Sequence, residues 1–285
     1  MTPVTSSLDG FLTHKAAADW HQALARLFSR SSTAEFPEHL TRFLRQITDI
    51  QSILISTYKG RARPLMIRDD YASDLREHAI GRYLGKAYLL DPFFTAIQRG
   101  ADQGVYSLRE LAPDRFHESE YYQYYYRALD LSDEVGILAR VDANVVMMVS
   151  LGFREECAPL TRRSLHALRS VAPVLQVMLT EFWHWQAGLF QSHTDTQAPI
   201  ELAFASFGEG LLTPREQEIV HLLLAGHSTK SAARELGISD GTVKVHRKNL
   251  YQRLDISTQS QLFRLFLDHV ALVSRRQPGG PAAPA

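Results

Sequence analysis

The C-terminal part of this sequence carries cationic side chains at helical spacing, a pattern that can read DNA. Across residues 240–254, apolar residues recur on one side of a helix from Val243 onward, whereas Val245 and Lys248 face the opposite side and Lys244 lies on the flank. Lysine can donate hydrogen bonds to guanine O6 and N7, and valine can contact a thymine methyl group. We therefore predict that Lys244, Val245 and Lys248 contact base edges in the major groove. The alternative is a charged helix face that is merely solvated.

Other polar groups in the same region could hold the DNA backbone. Thr242, Arg247 and Lys230 carry suitable donors, and Ser239 precedes a helix start, where free N–H groups bind phosphate. Such contacts orient a protein without reading sequence. The charge distribution agrees with this prediction, because residues 211–276 contain ten Lys and Arg against six Asp and Glu. This segment is therefore +4, and the rest of the neutral chain is −4.

Start and stop signals divide residues 211–272 into four helices that would position these side chains. Thr213 can cap the first helix, and Glu216 completes a capping box around a proline at the first helical position. A second, short helix begins after Ser228 and ends at Gly237, since glycine tolerates the left-handed conformation of a tight turn. Ser239 caps the third helix. The pattern predicts an all-α, four-helix helix-turn-helix domain.

This segment closely resembles the LuxR-type helix-turn-helix. It contains L-T-x-R-E near its start and I-S-x-x-T-V-K-x-H near the third helix. The resemblance implies that the chain is a transcription regulator acting on double-stranded DNA, and it supports Lys244, Val245 and Lys248 as base contacts. It also implies a homodimer, with RNA polymerase as a candidate partner. The fourth helix would dimerise through part of an apolar surface formed by Leu262, Phe263, Leu265 and Phe266.

A second group of polar residues lies in the N-terminal part, which is similar to the ligand-binding domain of quorum-sensing LuxR-type proteins. The resemblance rests on Tyr83, Tyr88, Asp91 with the following proline, Tyr106 and the segments DEVGILAR and VVMMVSLGF. It implies that these four residues bind a small molecule such as an acyl-homoserine lactone. Two departures, Ala79 in place of tryptophan and a segment one residue short before the aspartate, leave an amine, an amide or an aromatic metabolite as alternatives.

Two readings of this N-terminal region stay open. Asp91 could simply cap a helix, because Asp-Pro is a common helix start. Control could also come from a protein partner, or DNA binding could be independent of any ligand. A cavity of about a few hundred Å³ lined by Tyr83, Asp91 and Tyr106 would favour a ligand, whereas a filled, dry interior would favour a protein partner.

Hydrophobic patterns give the organisation of the chain. We predict a GAF-like or PAS-like α-β-α sensory domain over residues 1–187, a linker over 188–210, the helix-turn-helix domain over 211–274 and a disordered tail over 275–285. Residues 135–141 and 145–152 flank a turn and predict a β-hairpin with one continuous apolar face. The predicted class is α+β.

The sequence lacks the signatures of several other classes of protein. It shows no metal-ligand spacing, phosphate loop or nucleophile elbow, so we expect no enzyme activity, no metal and no cofactor. It has no apolar run of about 18 residues and no signal-peptide pattern at its start, which predicts a cytoplasmic protein without a membrane span. The acidic pair and later aspartate of a phosphorylated receiver domain are not found together.

Overall fold

A computed structural model describes residues 15–60, 64–81, 83–84, 88–154, 160–190, 203 and 206–276. Within these residues, a five-stranded antiparallel sheet lies between two layers, and four further helices form a C-terminal head. The strands are β1 (Ser52–Lys59), β2 (Leu65–Asp69), β3 (Gly104–Ser107), β4 (Leu131–Asp142) and β5 (Val145–Arg154). The helices before the head are α1 (Lys15–Phe28), α2 (Phe36–Leu44), α3 (Ser73–Arg76), α4 (Pro92–Gln98), α5 (Leu108–Leu111) and α6 (Arg162–Phe190). The predicted α+β class is confirmed.

The sheet is built around the predicted hairpin of β4 and β5. The strand order is β2-β1-β5-β4-β3, and all four neighbouring pairs are antiparallel. Successive side chains of a strand point to opposite faces, so each face collects alternate residues. The predicted apolar face is confirmed, since one buried cluster contains Val135, Ile137, Ala139, Val141, Val145, Met147, Val149 and Leu151.

Helices α1, α2 and α6 cover this apolar face. Leu168, Leu175 and Phe182 on α6 are buried against the sheet, and the rings of Phe36 and Phe182 lie 5.3 Å apart between their centroids. Helix α6 runs through Pro173 and continues to Phe190. Burial of each large apolar side chain contributes about 1.5 to 3 kcal/mol, so this layer supplies much of the stability of the domain.

The other face of the sheet is covered by short, irregular helical turns rich in tyrosine. Residues Glu77–Gly81 and Tyr122–Tyr126 form π-helical turns, and Tyr88–Leu90, Phe116–Glu118 and Arg127–Leu129 form 3₁₀ turns. Gly136 lets this layer approach closely, because a Cβ atom there would lie 2.8 Å from ring carbons of Phe93. Both faces of β4 and β5 are therefore buried.

The C-terminal head contains α7 (Pro214–Leu224), α8 (Thr229–Leu236), α9 (Asp240–Arg253) and α10 (Gln259–Arg276). Its predicted caps are confirmed. The Thr213 hydroxyl accepts from the N–H of Glu216 at 3.3 Å, while the carboxylate of Glu216 accepts from the N–H of Thr213 at 2.8 Å. Gly237 ends α8 at φ 63°, in the left-handed region. These local signals set the four helices in the predicted order.

The predicted dimer surface of α10 is largely used inside the chain. Leu262, Phe263 and Phe266 are buried in a core cluster that also contains residues of the N-terminal domain, and only Leu265 of the four is exposed. The prediction was that part of this set pairs with a second copy. In this conformation three of its members are buried within the chain and Leu265 is exposed, and the dimer itself stays a prediction. The three are buried because α10 packs on the other head helices and on the tyrosine-rich layer.

Described helical residues extend into both ends of the predicted linker. Helix α6 ends at Phe190, and Phe207 is buried against Phe266 with their ring centroids 5.5 Å apart. Residues 191–202 and 204–205 lie outside the described part of the chain, as do 1–14 and most of the predicted tail, 277–285. No helix in the described part is long and apolar enough to cross a membrane.

Candidate nucleic-acid interface and polar core

Helix α9 is fixed on the head by its inward face and by its two ends. Val243 and Leu250 are fully buried. The Ser239 hydroxyl accepts from the N–H of Thr242 at 3.1 Å, which caps the helix start. Near the other end, Arg253 forms a 3.3 Å ion pair with Glu216 on α7, whose side chain is only 2% exposed. The outward face is thus presented on a rigid support.

The three predicted base-contacting residues lie together on that outward face. Lys244, Val245 and Lys248 are all exposed, with Val245 at 58%. They occupy neighbouring positions one, three and four residues apart, and so form one patch of two cations around an apolar side chain. This composition suits guanine acceptors next to a thymine methyl group.

The predicted backbone contacts surround this patch. Lys230 is exposed on the first turn of α8, and Thr242 lies at the start of α9 with its hydroxyl 2.8 Å from that of Ser239. Arg247 is half-buried, and its guanidinium carbon lies 5.2 Å from the ring centroid of Tyr251. Arg247 also lines a surface pocket with Thr229, the neighbour of Lys230. The cationic groups therefore follow the edge of the reading face.

In the N-terminal domain, Asp91 and Tyr83 meet in the buried layer above the sheet. The Tyr83 hydroxyl donates to Oδ2 of Asp91 at 2.5 Å, and the Tyr58 and Tyr83 hydroxyls lie 2.8 Å apart. Oδ1 of Asp91 accepts from the N–H of Phe93 at 2.8 Å, so the same carboxylate also caps α4. Asp91 is thus both a helix cap and a member of a cluster of buried polar side chains with Tyr58 and Tyr83, which we call the polar core.

A second buried carboxylate, Glu134, lies in this core and was not predicted. It accepts hydrogen bonds from the hydroxyl of Tyr126 at 2.5 Å and from that of Ser150. Glu134 is 8% exposed. Its position had a signal in the sequence, since Glu134, Gly136 and Leu138 occupy the strand face opposite to Val135 and Ile137. An acidic residue at an inward position of a strand that is buried on both faces marks a polar site.

Burial disfavours the charged forms of both carboxyl groups. It raises the pKa of Asp91 to about 6. Burial, followed by the nearby charge of Asp91, raises the pKa of Glu134 to about 7, although the hydrogen bonds from Ser150 and Tyr126 act in the opposite direction. Burial and the charge of Asp91 also hold the pKa of Tyr83 well above its ordinary value, so its hydroxyl stays a donor. The core can change its charge near neutral pH.

A cavity of only about 10 Å³ lies between these groups, room for about one water molecule. It is lined by Leu54, Tyr58, Tyr71, Tyr83, Asp91, Tyr125, Leu131, Glu134, Met148 and Ser150. The volume is far below a few hundred Å³, but the lining is polar. Tyr83 and Asp91 are brought together as predicted, and Tyr58, Tyr71, Tyr125, Glu134 and Ser150 are additions.

Two of the predicted ligand residues do not line this cavity. Tyr106 lies on the edge strand β3, partly exposed, and its hydroxyl donates to the carbonyl of Gln103 at 3.2 Å. It packs at the margin of the tyrosine-rich layer rather than facing Asp91. Tyr88 is fully buried, and its ring packs edge-on against Phe94 with centroids 5.1 Å apart. Tyr88 is therefore part of the wall behind the cavity.

Comparisons with known proteins agree with both parts of the molecule. The family model for bacterial regulatory proteins, luxR family, matches residues 210–266. An HTH-type transcriptional regulator from the exeN 3' region of Aeromonas salmonicida is 34% identical over 186 residues, which cover 63% of this chain and 94% of that protein. The transcriptional regulatory protein MctR of Rhizobium johnstonii is 48% identical over 62 residues, 22% of this chain and 29% of that protein.

The N-terminal fold has a counterpart among solved structures. The crystal structure of the VqsR LBD domain from Pseudomonas aeruginosa covers 59% of this chain and 98% of its own, with a TM-score of 0.52 and 22% identity. The two domains share a fold. Together with the relative that matches along almost its whole length, these findings show that the chain belongs to the LuxR family of DNA-binding, HTH-type transcriptional regulators.

Proposed function

We propose that this regulator binds specific DNA as a homodimer through α9, and that a small molecule bound at the core of Asp91 and Glu134 controls this binding. The observation that carries the proposal is the pair of buried carboxylates, each of which accepts from a tyrosine hydroxyl beside one shared cavity. Buried ionisable groups with raised pKa values cluster at functional sites more often than elsewhere. Lys244, Val245 and Lys248 read bases in this proposal, and Lys230, Ser239, Thr242 and Arg247 hold phosphates.

The charge of the core defines the class of ligand. Among the residues that the structure describes, the cavity lining contains two carboxyl groups and four tyrosines but no Lys, Arg or His. A ligand with N–H donors or a positively charged nitrogen would satisfy both carboxylates and offset their burial, which is unfavourable without a partner. An amine or an amide therefore fits better than a ligand whose polar atoms are only acceptors.

Binding requires the core to open. A cavity for about one water cannot hold a metabolite, so a ligand must displace side chains of the tyrosine-rich layer. This layer consists of π-helical and 3₁₀ turns instead of long helices, and such turns repack more readily than a regular helix ladder. A ligand that binds only the open arrangement shifts the population toward it and so changes how the head is held.

The test is native mass spectrometry of the full-length protein, incubated with a small-molecule fraction of its host's culture. We expect an added mass in the wild type that is lost in Asp91→Asn and Glu134→Gln. A matched control is Glu38→Gln, an exposed carboxylate on α2, which should keep the added mass. Retention of the ligand by all three variants would refute the site, and a clean apo mass in every sample would refute ligand control by that fraction.

A second candidate is control by a protein partner without a small molecule. The observation that favours it is the small volume of the cavity, because a filled interior needs no ligand. In that case the DNA affinity should respond to the protein fraction of a host lysate and not to the small-molecule fraction.

A further inference from the structure

The N-terminal domain touches the head at the start of helix α8. Asp114 precedes the turn Phe116–Glu118, and both of its carboxylate oxygens accept hydrogen bonds from one residue of the head. Oδ1 accepts from the N–H of Ser228 at 3.2 Å, and Oδ2 accepts from its hydroxyl at 2.6 Å. Ser228 is the cap of α8, and its hydroxyl also accepts from the N–H of Ser231 at 3.1 Å. An anion of the N-terminal domain thus sits on the positive end of this helix.

The carboxyl group of Asp114 is ionised at this position. Partial burial works to raise the pKa of Asp114, but the hydrogen bonds from Ser228 outweigh it and leave that pKa below its ordinary value. The side chain is exposed at the edge of the interface and stays ionised at neutral pH. A phosphate of the DNA backbone can accept the same two hydrogen bonds at a helix start, one from an N–H group and one from a hydroxyl group.

The contact is close because the head presents a glycine to the N-terminal domain. A Cβ atom at Gly226 would lie 2.9 Å from Cβ of Ser119 and 3.1 Å from Cα of Phe116. The turn between α7 and α8 therefore lies directly against the segment that carries Asp114. No bulky DNA backbone can enter while this segment stays in place.

Further contacts hold the same arrangement. Arg99, at the end of α4, pairs with Glu235 on α8 at 2.6 Å. The Ser260 hydroxyl on α10 donates to Glu120, and the rings of Tyr124 and Phe263 lie 5.9 Å apart. The interface therefore spans both ends of α8 and the start of α10.

In helix-turn-helix proteins, the helix before the recognition helix crosses the DNA backbone, and helix N-termini donate to phosphates. In this head that helix is α8, and Lys230 lies two residues after its cap. We propose that Ser228 is a phosphate contact of the DNA-binding head, and that Asp114 competes with DNA for it, so that DNA binding requires the segment of Asp114 to leave. Ser228 was not among the residues predicted to contact DNA.

The competition acts on affinity and not on base reading. Lys244, Val245 and Lys248 stay exposed while Asp114 holds Ser228. The contact occupies one phosphate-binding position, Ser228, and places a negative charge at the start of the helix that also carries Lys230. We call the conformation in which Asp114 holds Ser228 the latch. Molecules in this conformation do not bind DNA, so the apparent dissociation constant rises by the factor by which the binding-competent fraction falls.

The test is fluorescence anisotropy of the full-length protein on a labelled duplex that the wild type selects from a random library. We expect Asp114→Ala to bind this duplex and a scrambled duplex about twofold to fivefold more tightly, the range for an exposed contact that holds a closed population. The matched control is Glu118→Gln, which removes the same charge from the same segment, where Glu118 pairs with Arg115 and not with Ser228. Equal affinities of the Asp114→Ala and Glu118→Gln variants would overturn the proposal.

A second pair of measurements separates the latch from a general loss of negative charge. Ser228→Gly keeps the backbone N–H and an accepted helix cap but removes the hydroxyl, so Asp114→Ala should tighten DNA binding less in that background. Asp114→Cys with Ser228→Cys, in a Cys157→Ser background, places a disulfide where the hydrogen bonds are. Oxidation should abolish DNA binding, and reduction should restore it to the level of Ser228→Cys alone, because Ser228 is itself a proposed phosphate contact. Undiminished binding by the fully oxidised protein would overturn the proposal even if Asp114→Ala fails to fold.

Discussion

Replacement of Glu134 with glutamine should change how the stability of the N-terminal domain depends on pH. The pKa of Glu134 is raised from 4.5 to about 7, so the folded state binds a proton that the unfolded state has released in this range. Stability of the wild type is therefore lost as pH rises from about 4.5 through about 7. Glutamine has the same shape, keeps an acceptor for Tyr126 and does not titrate.

The magnitude follows from the two pKa values. At 1.36 kcal/mol for each pH unit, the difference between 4.5 and about 7 amounts to about 3 kcal/mol. The free energy of unfolding of Glu134→Gln should thus be close to that of the wild type at about pH 4 and higher by about 3 kcal/mol at about pH 8. The coupled carboxyl of Asp91 has its pKa raised to about 6 in the same direction, and it remains in the variant.

Urea unfolding followed by tryptophan fluorescence measures this quantity. All three tryptophans, Trp20, Trp183 and Trp185, lie in the N-terminal domain, so the signal reports that domain and not the head. Glu38→Gln, which removes an exposed carboxylate from α2, should give the wild-type curve. The same difference between Glu134→Gln and the wild type at the two pH values would refute a raised pKa of Glu134 in the folded state.

Three further predictions concern DNA binding and the ligand. Lys244→Ala and Lys248→Ala should each lose about 1 to 3 kcal/mol of discrimination between a selected and a scrambled duplex, measured by anisotropy. An equal loss of affinity for both duplexes would show that these lysines do not read bases. Lys230→Ala should weaken both duplexes alike and lower the slope of log K against log salt by about 1, and an altered base preference would contradict a phosphate contact. Asp91→Asn should remove the response of DNA binding to the ligand fraction while basal binding remains, because asparagine can still cap α4. An Asp91→Asn protein that fails to fold would instead show that Asp91 has a structural role that asparagine cannot fill.

The features that could be predicted from the sequence are those decided over a few residues. The capping box of Thr213 and Glu216 joins positions three apart, and the left-handed turn at Gly237 depends on the lack of a Cβ atom. The hairpin of β4 and β5 follows from a period of two on either side of a short turn. Such signals do not depend on the rest of the fold, and they placed the exposed cations of α9 correctly on its surface.

The features that could not be predicted depend on distant parts of the chain. Glu134 and Ser150 meet because the register of β4 and β5 pairs Gly136 with Ser150, which no local pattern specifies. Tyr106 was expected at the ligand site, but β3 is an edge strand and leaves that side chain partly exposed. The bond between Asp114 and Ser228 joins residues 114 positions apart in the sequence.

The polar core and the head are joined by the same two elements. Helix α4 begins after Asp91 and is followed by Arg99, which pairs with Glu235 on α8. The turn Tyr122–Tyr126 ends at the partner of Glu134, and Tyr124 within it packs on Phe263 of α10. Each carboxylate is therefore hydrogen-bonded to an element that also touches the head, and this continuity is a route for coupling that can be tested.

A double-mutant cycle tests that route. Arg99→Ala breaks an exposed ion pair, so alone it should change the DNA affinity by less than about fivefold. If α4 carries the coupling, the effect of Glu134→Gln on DNA affinity in the Arg99→Ala background should differ from its effect in the wild type by about 0.5 to 2 kcal/mol. Arg42→Ala, which breaks a comparable exposed pair with Glu38 on the opposite layer, is the matched control and should be additive with Glu134→Gln. Strict additivity for Arg99→Ala as well would show that the core and the head do not communicate through α4. The same cycle with Tyr124→Ala would then test the turn Tyr122–Tyr126 as the route.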